Sequence, residues 1–291
     1  MRKIRIITAL HERGPRDKRM GAGPLYLLEH NLPEKLAAEN PDISFDLIEI
    51  NSIDEPSGDW KSVLKISDDV KHAVSTALED DCFPLVLGSG CLTSIGVVAA
   101  LGPVEKTKIL WFDRHGDLNT PETSTSGNME GMPLALLTGR FGHDVWHPLT
   151  DGNVVIPFEN VVLVGAADLD PAEADIVNGT SMLRIPMDAV RRSYEKAVVA
   201  DDLFQSRLRG DYRLYIHLDV DALGSAYVPD TMSPVEHGLS VRQVGHVLRS
   251  IPEINFGALT VTGIIPTPDS TSTSANSIVS ILNSVLRRIA A

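Results

Sequence analysis

The chain has 291 residues, 43% of them hydrophobic, which is ample for one large core or two small domains. A formal net charge of −13 argues against nucleic acid or an anionic membrane as a partner, because both carry the same sign. With two cysteines, Cys82 and Cys91, a disulfide framework is not expected, and a reducing cytoplasm is the default setting.

The opening stretch, MRKIRIITALHERG, has too brief and interrupted an apolar run for a signal peptide, and no stretch reaches the length of a membrane span. Short β-branched apolar runs recur at 4–8, 45–50, 83–87, 108–112, 161–164, 182–185, 214–218 and 258–261, each the length of a buried strand. Helical periodicity fills most of the gaps. It is clearest over 59–78, where Val63, Leu64, Ile66, Val70, Val74 and Leu78 recur, and it returns over 241–251 and 275–289. The STSTS tract at 270–274 reads as a loop before the last helix. No linker or internal repeat interrupts the alternation. Residues 1–291 are therefore read as a single domain, a three-layer α/β/α fold on a mostly parallel eight-stranded sheet.

Three of the strands run straight into polar segments. Residues 83–87 lead into GSGC at 88–91, KILWF into Asp113, Arg114, His115, Gly116 and Asp117, and RLYIHL into Asp219, Val220 and Asp221. Side chains alternate faces along an extended chain, so Asp113, His115 and Asp117 can share one face, as can Asp219 and Asp221. Carboxylates gathered in this way repel one another and resist desolvation unless a cation compensates them. In an open parallel sheet, ligands bind beyond the carboxyl ends of the strands, where all three segments arrive. A mixed Asp/His set points to manganese first, with zinc, iron, cobalt and nickel behind it. Four Asp and one His exceed what one ion needs, which suggests two ions sharing bridging carboxylates with a water between them.

These segments resemble the ureohydrolase superfamily of arginase, agmatinase and formimidoylglutamase. That family carries Asp-Ala-His-x-Asp, then Asn-Thr-Pro and Ser-Gly-Asn. This chain reads Asp113-Arg114-His115-Gly116-Asp117, Asn119-Thr120-Pro121 and Ser126-Gly127-Asn128. The family's later Asp-x-Asp segment is similar to Asp219-Val220-Asp221, followed here by Pro229, Ser233, Pro234 and Gly238-Leu239. The resemblance runs in order from about residue 83 to the end. It implies two manganese ions held by Asp113, His115, Asp117, Asp219 and Asp221. It also implies a hydroxide that attacks the central carbon of a guanidino or amidino group and expels an amine, with Asp117 orienting that hydroxide. A small guanidino or amidino substrate and a homo-oligomer, trimer or hexamer, are implied as partners.

The chain also departs from the family pattern. Where the family usually reads Gly-Gly-Asp-His-Ser, this chain reads Gly88-Ser89-Gly90-Cys91-Leu92, so Cys91 stands in place of a ligand His. As a thiolate ligand it would add negative charge, weaken the ions as Lewis acids and favour zinc or iron more than an imidazole does. As an ordinary buried thiol it would bind nothing. Some relatives that hydrolyse N-hydroxyarginine are similar in placing Cys there and in reading Asn-Thr-Pro-Glu-Thr, as residues 119–123 do. The arginase His thought to shuttle protons aligns with Glu130, and the arginase Glu that grips the guanidinium aligns with Gly263. Glu130 is therefore the candidate for acid–base work and for contact with the cationic end of the substrate; the plainer alternative is a solvated Glu on a first helical turn.

At the amino-acid end of the pocket, Asp170 and Glu173 match the acids that bind the α-amino group. Asn119 and Ser126 match the contacts to the α-carboxylate, Asn128 matches another pocket residue, and Ala167 replaces an Arg. His217 shares a face with Asp219, either as a residue behind the ligands or as a satisfied core residue. His237 is positioned to narrow the pocket mouth, and His143 and His147 flank a loop. Arginine or N-hydroxyarginine leads as substrate and formiminoglutamate follows. A catalytically silent relative is the reading of a different class.

Overall fold

The computed structural model describes residues 2–11, 18–50, 58–150, 152, 154–196, 202–232, 234–252 and 255–289. Its strands are β1 (Arg2–Ala9), β2 (Ile43–Ile50), β3 (Cys82–Gly88), β4 (Thr107–Phe112), β5 (Val161–Val164), β6 (Leu183–Ile185), β7 (Arg213–Asp219) and β8 (Asn255–Thr262). They form one eight-stranded sheet in the order β2-β1-β3-β8-β7-β4-β5-β6. Every neighbouring pair is parallel, so the mostly parallel sheet expected from the sequence is wholly parallel.

Both faces of the sheet are covered, which explains why the central strands read as continuous apolar runs. Leu85, Leu87, Leu110 and Phe112 point into one core, while Val86, Ile109 and Trp111 point into the other. Helices Gly23–Glu29, Leu32–Glu39, Val241–Arg249 and Thr273–Ile289 pack on the first face; Trp60–Glu79, Thr93–Leu101 and Pro133–Leu137 pack on the second. The periodic stretch over 59–78 becomes Trp60–Glu79, with Asp59 as N-cap accepting from the Ser62 N–H. A capping box between Ser240 and Gln243 opens Val241–Arg249, and the last helix begins at Thr273, inside the STSTS tract expected to be a loop. Thr93–Leu101 carries no amphipathic signature because it is buried all round, so nothing in its pattern distinguishes a face.

The strand order positions the site. The chain leaves β3 and re-enters the sheet at β4, with β8 and β7 lying between the two. The carboxyl ends of β3, β8, β7 and β4 therefore sit side by side at a topological switch point, the place where an open α/β sheet forms a ligand crevice. Gly88–Cys91, Gly263, Asp219–Asp221 and Asp113–Asp117 all leave from that edge. Among the described residues no helix is long and apolar enough to cross a membrane.

Candidate metal centre

Asp113 is the first residue beyond β4 and is buried. Its Oδ1 accepts from the His115 N–H at 2.7 Å, and its Oδ2 accepts from the Trp111 indole N–H at 3.1 Å. His115 Nδ1 lies 3.0 Å from Asp221 Oδ2 and 3.4 Å from Asp113 Oδ1. At the end of β7, the Asp221 N–H donates to Asp219 Oδ1 at 2.8 Å, and the Arg114 N–H donates to Asp221 Oδ1 at 3.2 Å. Cys91 Sγ lies 3.1 Å from Asp219 Oδ2 and 3.8 Å from Asp113 Oδ2. Two overlapping sets of ligand atoms result, Cys91–Asp113–His217–Asp219 and Asp113–His115–Asp221, with the atoms in each set within 4.8 Å of one another.

Asp117 supplies an independent test of whether these residues suit a cation. Its backbone is left-handed (φ 53°), a conformation that a non-glycine residue adopts at a cost. Its Oδ2 is buried with no hydrogen-bond partner. An orphaned buried carboxylate oxygen costs about 1–3 kcal/mol or more, and a divalent cation removes that cost. The donor set of carboxylates, imidazole and thiol fits two divalent ions.

The electrostatics of the protein groups alone point the same way. Burial, reinforced by the charge of Asp221, pushes Asp113 up to about 6. Burial and neighbouring carboxylates hold Asp117 and Asp219 well above the usual carboxylate range. Burial raises the Cys91 thiol as well, helped by Asp117 and Asp219. Hydrogen bonds to Asp113 and Asp221 push His115 up to about 12. Burial opposes ionisation of Asp221, yet the hydrogen bond and charge of His115 hold it below the ordinary value.

A cavity of about 270 Å³ opens over the cluster. It is lined by Cys91, Asp113, His115, Asp117, Asp219 and Asp221, and also by Asn119, Ser126, Asn128, Glu130, Asp170 and Glu173, so each metal, catalytic and substrate-contact candidate reaches it. Glu130 is 6% exposed in the turn Met129–Gly131, which overturns the solvated-surface alternative. Its Oε2 accepts from the Leu92 N–H at 3.0 Å, just before the helix Thr93–Leu101. Glu173 is also buried. It forms a capping box with Asp170 at the start of helix Pro171–Gly179, and its Oε1 takes the Leu118 N–H at 3.0 Å. Asn119 Nδ2 donates to Asp170 Oδ2 at 2.8 Å, which ties the segment after β4 to the segment after β5. Asn128 Oδ1 accepts from the Glu130 N–H, and Ser126 sits exposed at the mouth.

Gly263, at the end of β8, has φ 87°, and a Cβ built there would lie 2.4 Å from Asp219 Oδ1. The position is closed to any side chain while Asp219 stays in place. Three histidine readings change. His237 is exposed and does not line the cavity. His143 lies on the short helix His143–Trp146 and His147 on the turn that follows, with rings 5.2 Å apart, so a helical turn rather than a loop separates them. His217, left open between two roles, is fully buried and belongs to a ligand-atom set.

The model of the Arginase family matches residues 6–287. The chain belongs to the arginase family. An arginase of Staphylococcus aureus (strain COL) is 30% identical over 225 residues, covering 77% of this chain and 74% of that protein. The crystal structure of an arginase from Bacillus subtilis matches with a TM-score of 0.81 at 26% identity, covering 98% of both chains. A formimidoylglutamase from Bacillus subtilis shares the fold, with a TM-score of 0.70 at 16% identity over 99% of this chain and 87% of that one. Family membership makes the chain a hydrolase acting on C–N bonds of linear amidines.

Proposed function

We propose that the chain is a two-manganese hydrolase that cleaves a guanidino C–N bond of an α-amino acid, arginine or N-hydroxyarginine, releasing urea or hydroxyurea with the matching amine. The observation that carries this reading is the pair of overlapping ligand-atom sets sharing Asp113 on the floor of one acid-lined cavity. Cys91, Asp113, His115, Asp117, Asp219 and Asp221 hold the ions. When bound, the ions supply Lewis acidity and make water nucleophilic at neutral pH.

The chain's own residues do the rest. Asp117 Oδ2 accepts a hydrogen bond from the attacking water and aims it, a role supported by its burial and lack of another partner. Glu130, anchored through Leu92, faces the cavity and takes the cationic end of the substrate. Asp170 and Glu173 receive the α-amino group, Asn119 and Ser126 the α-carboxylate, and Asn128 contacts the substrate between these ends. A cavity of about 270 Å³ suits one amino acid, being near the roughly 300 Å³ lower end of small-molecule sites. The setting is cytoplasmic and the protein a trimer or hexamer.

Product mass spectrometry tests this. Manganese-loaded protein is incubated with arginine, N-hydroxyarginine, agmatine and formiminoglutamate. Urea or hydroxyurea appearing with an amino-acid amine supports the proposal. Product from agmatine alone overturns the amino-acid specificity, and formamide alone assigns the formimidoylglutamase branch. No product from any substrate, with ions bound, overturns the activity.

A further inference from the structure

His217 was not expected among the metal ligands, and nothing in the proposed chemistry uses it. It lies on β7, opposite Trp111 of β4 and Thr260 of β8, and is completely buried. The Trp111 ring stacks on its imidazole at 3.6 Å between centroids and 14° between planes, which fixes the ring plane. The same indole donates to Asp113 Oδ2, so a single side chain positions both His217 and a carboxylate of the cluster.

The two ring nitrogens have unequal surroundings. Nδ1 lies 3.0 Å from the Tyr215 hydroxyl, a good hydrogen bond. The partner of Nε2 is Thr262 Oγ1 at 3.4 Å, which is long for a hydrogen bond. That hydroxyl also lies 3.4 Å from Asp219 Oδ2 and 3.9 Å from Cys91 Sγ, and it has a single proton to give. A histidine kept only for packing satisfies both nitrogens. A metal-bound histidine donates its far N–H to a fixed partner and turns the other lone pair toward the ion. With Nδ1–H donating to Tyr215, His217 has that arrangement, and it falls within 4.8 Å of the ligand atoms of Cys91, Asp113 and Asp219.

We propose that His217 is a ligand of the inner ion, completing a sulfur–nitrogen–oxygen set with Cys91, Asp113 and Asp219. The inference rests on the cluster being a metal centre. Cys91 stands where the family resemblance implies an imidazole, and His217 offers one from β7. The two sets then differ in donor chemistry. The inner set contains a thiolate and so ranks zinc and iron(II) closer to manganese than does the harder outer set of Asp113, His115 and Asp221.

The test uses the full chain, stripped of metal and loaded with one equivalent of cobalt(II), and reads coordination rather than turnover. A thiolate-to-cobalt charge-transfer band marks an ion at Cys91, and X-ray absorption counts imidazoles. The informative variant is His115→Ala, because His115 is 43% exposed and is the other imidazole at the centre. The expected result is a thiolate band with one imidazole per cobalt in His115→Ala, and loss of that imidazole in His115→Ala/His217→Gln. Cobalt bound to the thiolate without an imidazole in His115→Ala overturns the inference and leaves the proposed hydrolase standing. Failure of His115→Ala to bind cobalt that the unaltered chain binds also overturns it. No cobalt bound by the unaltered chain overturns both the inference and the metal-dependent function.

Discussion

Replacing Gly263 by Ala is a small change with a large local consequence. The added Cβ would sit 2.4 Å from Asp219 Oδ1 and 2.8 Å from Oδ2, so the carboxylate must swing away. That motion breaks the Asp221 N–H bond to Oδ1 at 2.8 Å and moves Oδ2 from its place 3.1 Å from Cys91 Sγ. The left-handed backbone at φ 87° adds about 1–2 kcal/mol of strain for any L-residue with a side chain. For a chain of this size that strain alone lowers the melting temperature of the metal-free protein by roughly 2–3 °C. Displacing a ligand carboxylate lowers metal affinity further, by about 10–100-fold on the scale of lost supporting contacts. Competition against a fluorescent chelator reads the affinity, and calorimetry of the metal-free chain reads the strain. Metal affinity equal to that of the unaltered chain would refute the reasoning, because Asp219 could then not be where the ions bind. Gly263→Glu, which places a still larger side chain against Asp219, is expected to lose metal too and not to gain substrate affinity.

Glu130→Gln keeps an oxygen to accept the Leu92 N–H, so the fold holds while the charge facing the cavity is lost. KM for a cationic substrate rises by about tenfold, equivalent to roughly 1.4 kcal/mol; steady-state kinetics showing unchanged KM and kcat would sink the role. Cys91→Ser removes the soft donor and shifts preference from zinc toward manganese in a two-metal competition read by elemental analysis, and an unaltered preference would mean that the thiol binds nothing. For the metal-free chain, Asp113 at about 6 lies above its ordinary 3.8, so between these values the folded state holds more protons than the unfolded state and stability falls as pH rises. His115, raised from 6.5 to about 12, acts in the same sense from neutral to alkaline pH. With chelator present, the chain melts higher near pH ~5 than near pH ~8; the opposite order in scanning calorimetry would contradict the assignment of these groups.

Much of the site was legible because its chemistry conflicts with its surroundings. Acids at 113, 117, 219 and 221 directly after apolar strands are expensive without a cation, and that conflict is visible in a linear string. The fold class followed from alternating strand and helix patterns. What stayed hidden depends on which strands become neighbours. The stack of Trp111 on His217 exists only because β7 pairs with β4, an adjacency between residues more than a hundred positions apart. The burial of Glu130 depends on the segment after Asp117 folding back onto Leu92, which no local pattern encodes. Gly263 reads as an ordinary glycine until its φ and its distance to Asp219 are known. The helix Thr93–Leu101 escaped notice for the opposite reason, since full burial erases the periodicity that reveals a surface helix.

The most direct test of the central claim is a metal back-titration of the chelator-stripped chain with manganese, following amine release from arginine and N-hydroxyarginine. The two-ion centre predicts negligible turnover without metal and a rise that levels off at two equivalents per chain. Full turnover in the stripped protein, or a rate indifferent to added metal, would contradict it.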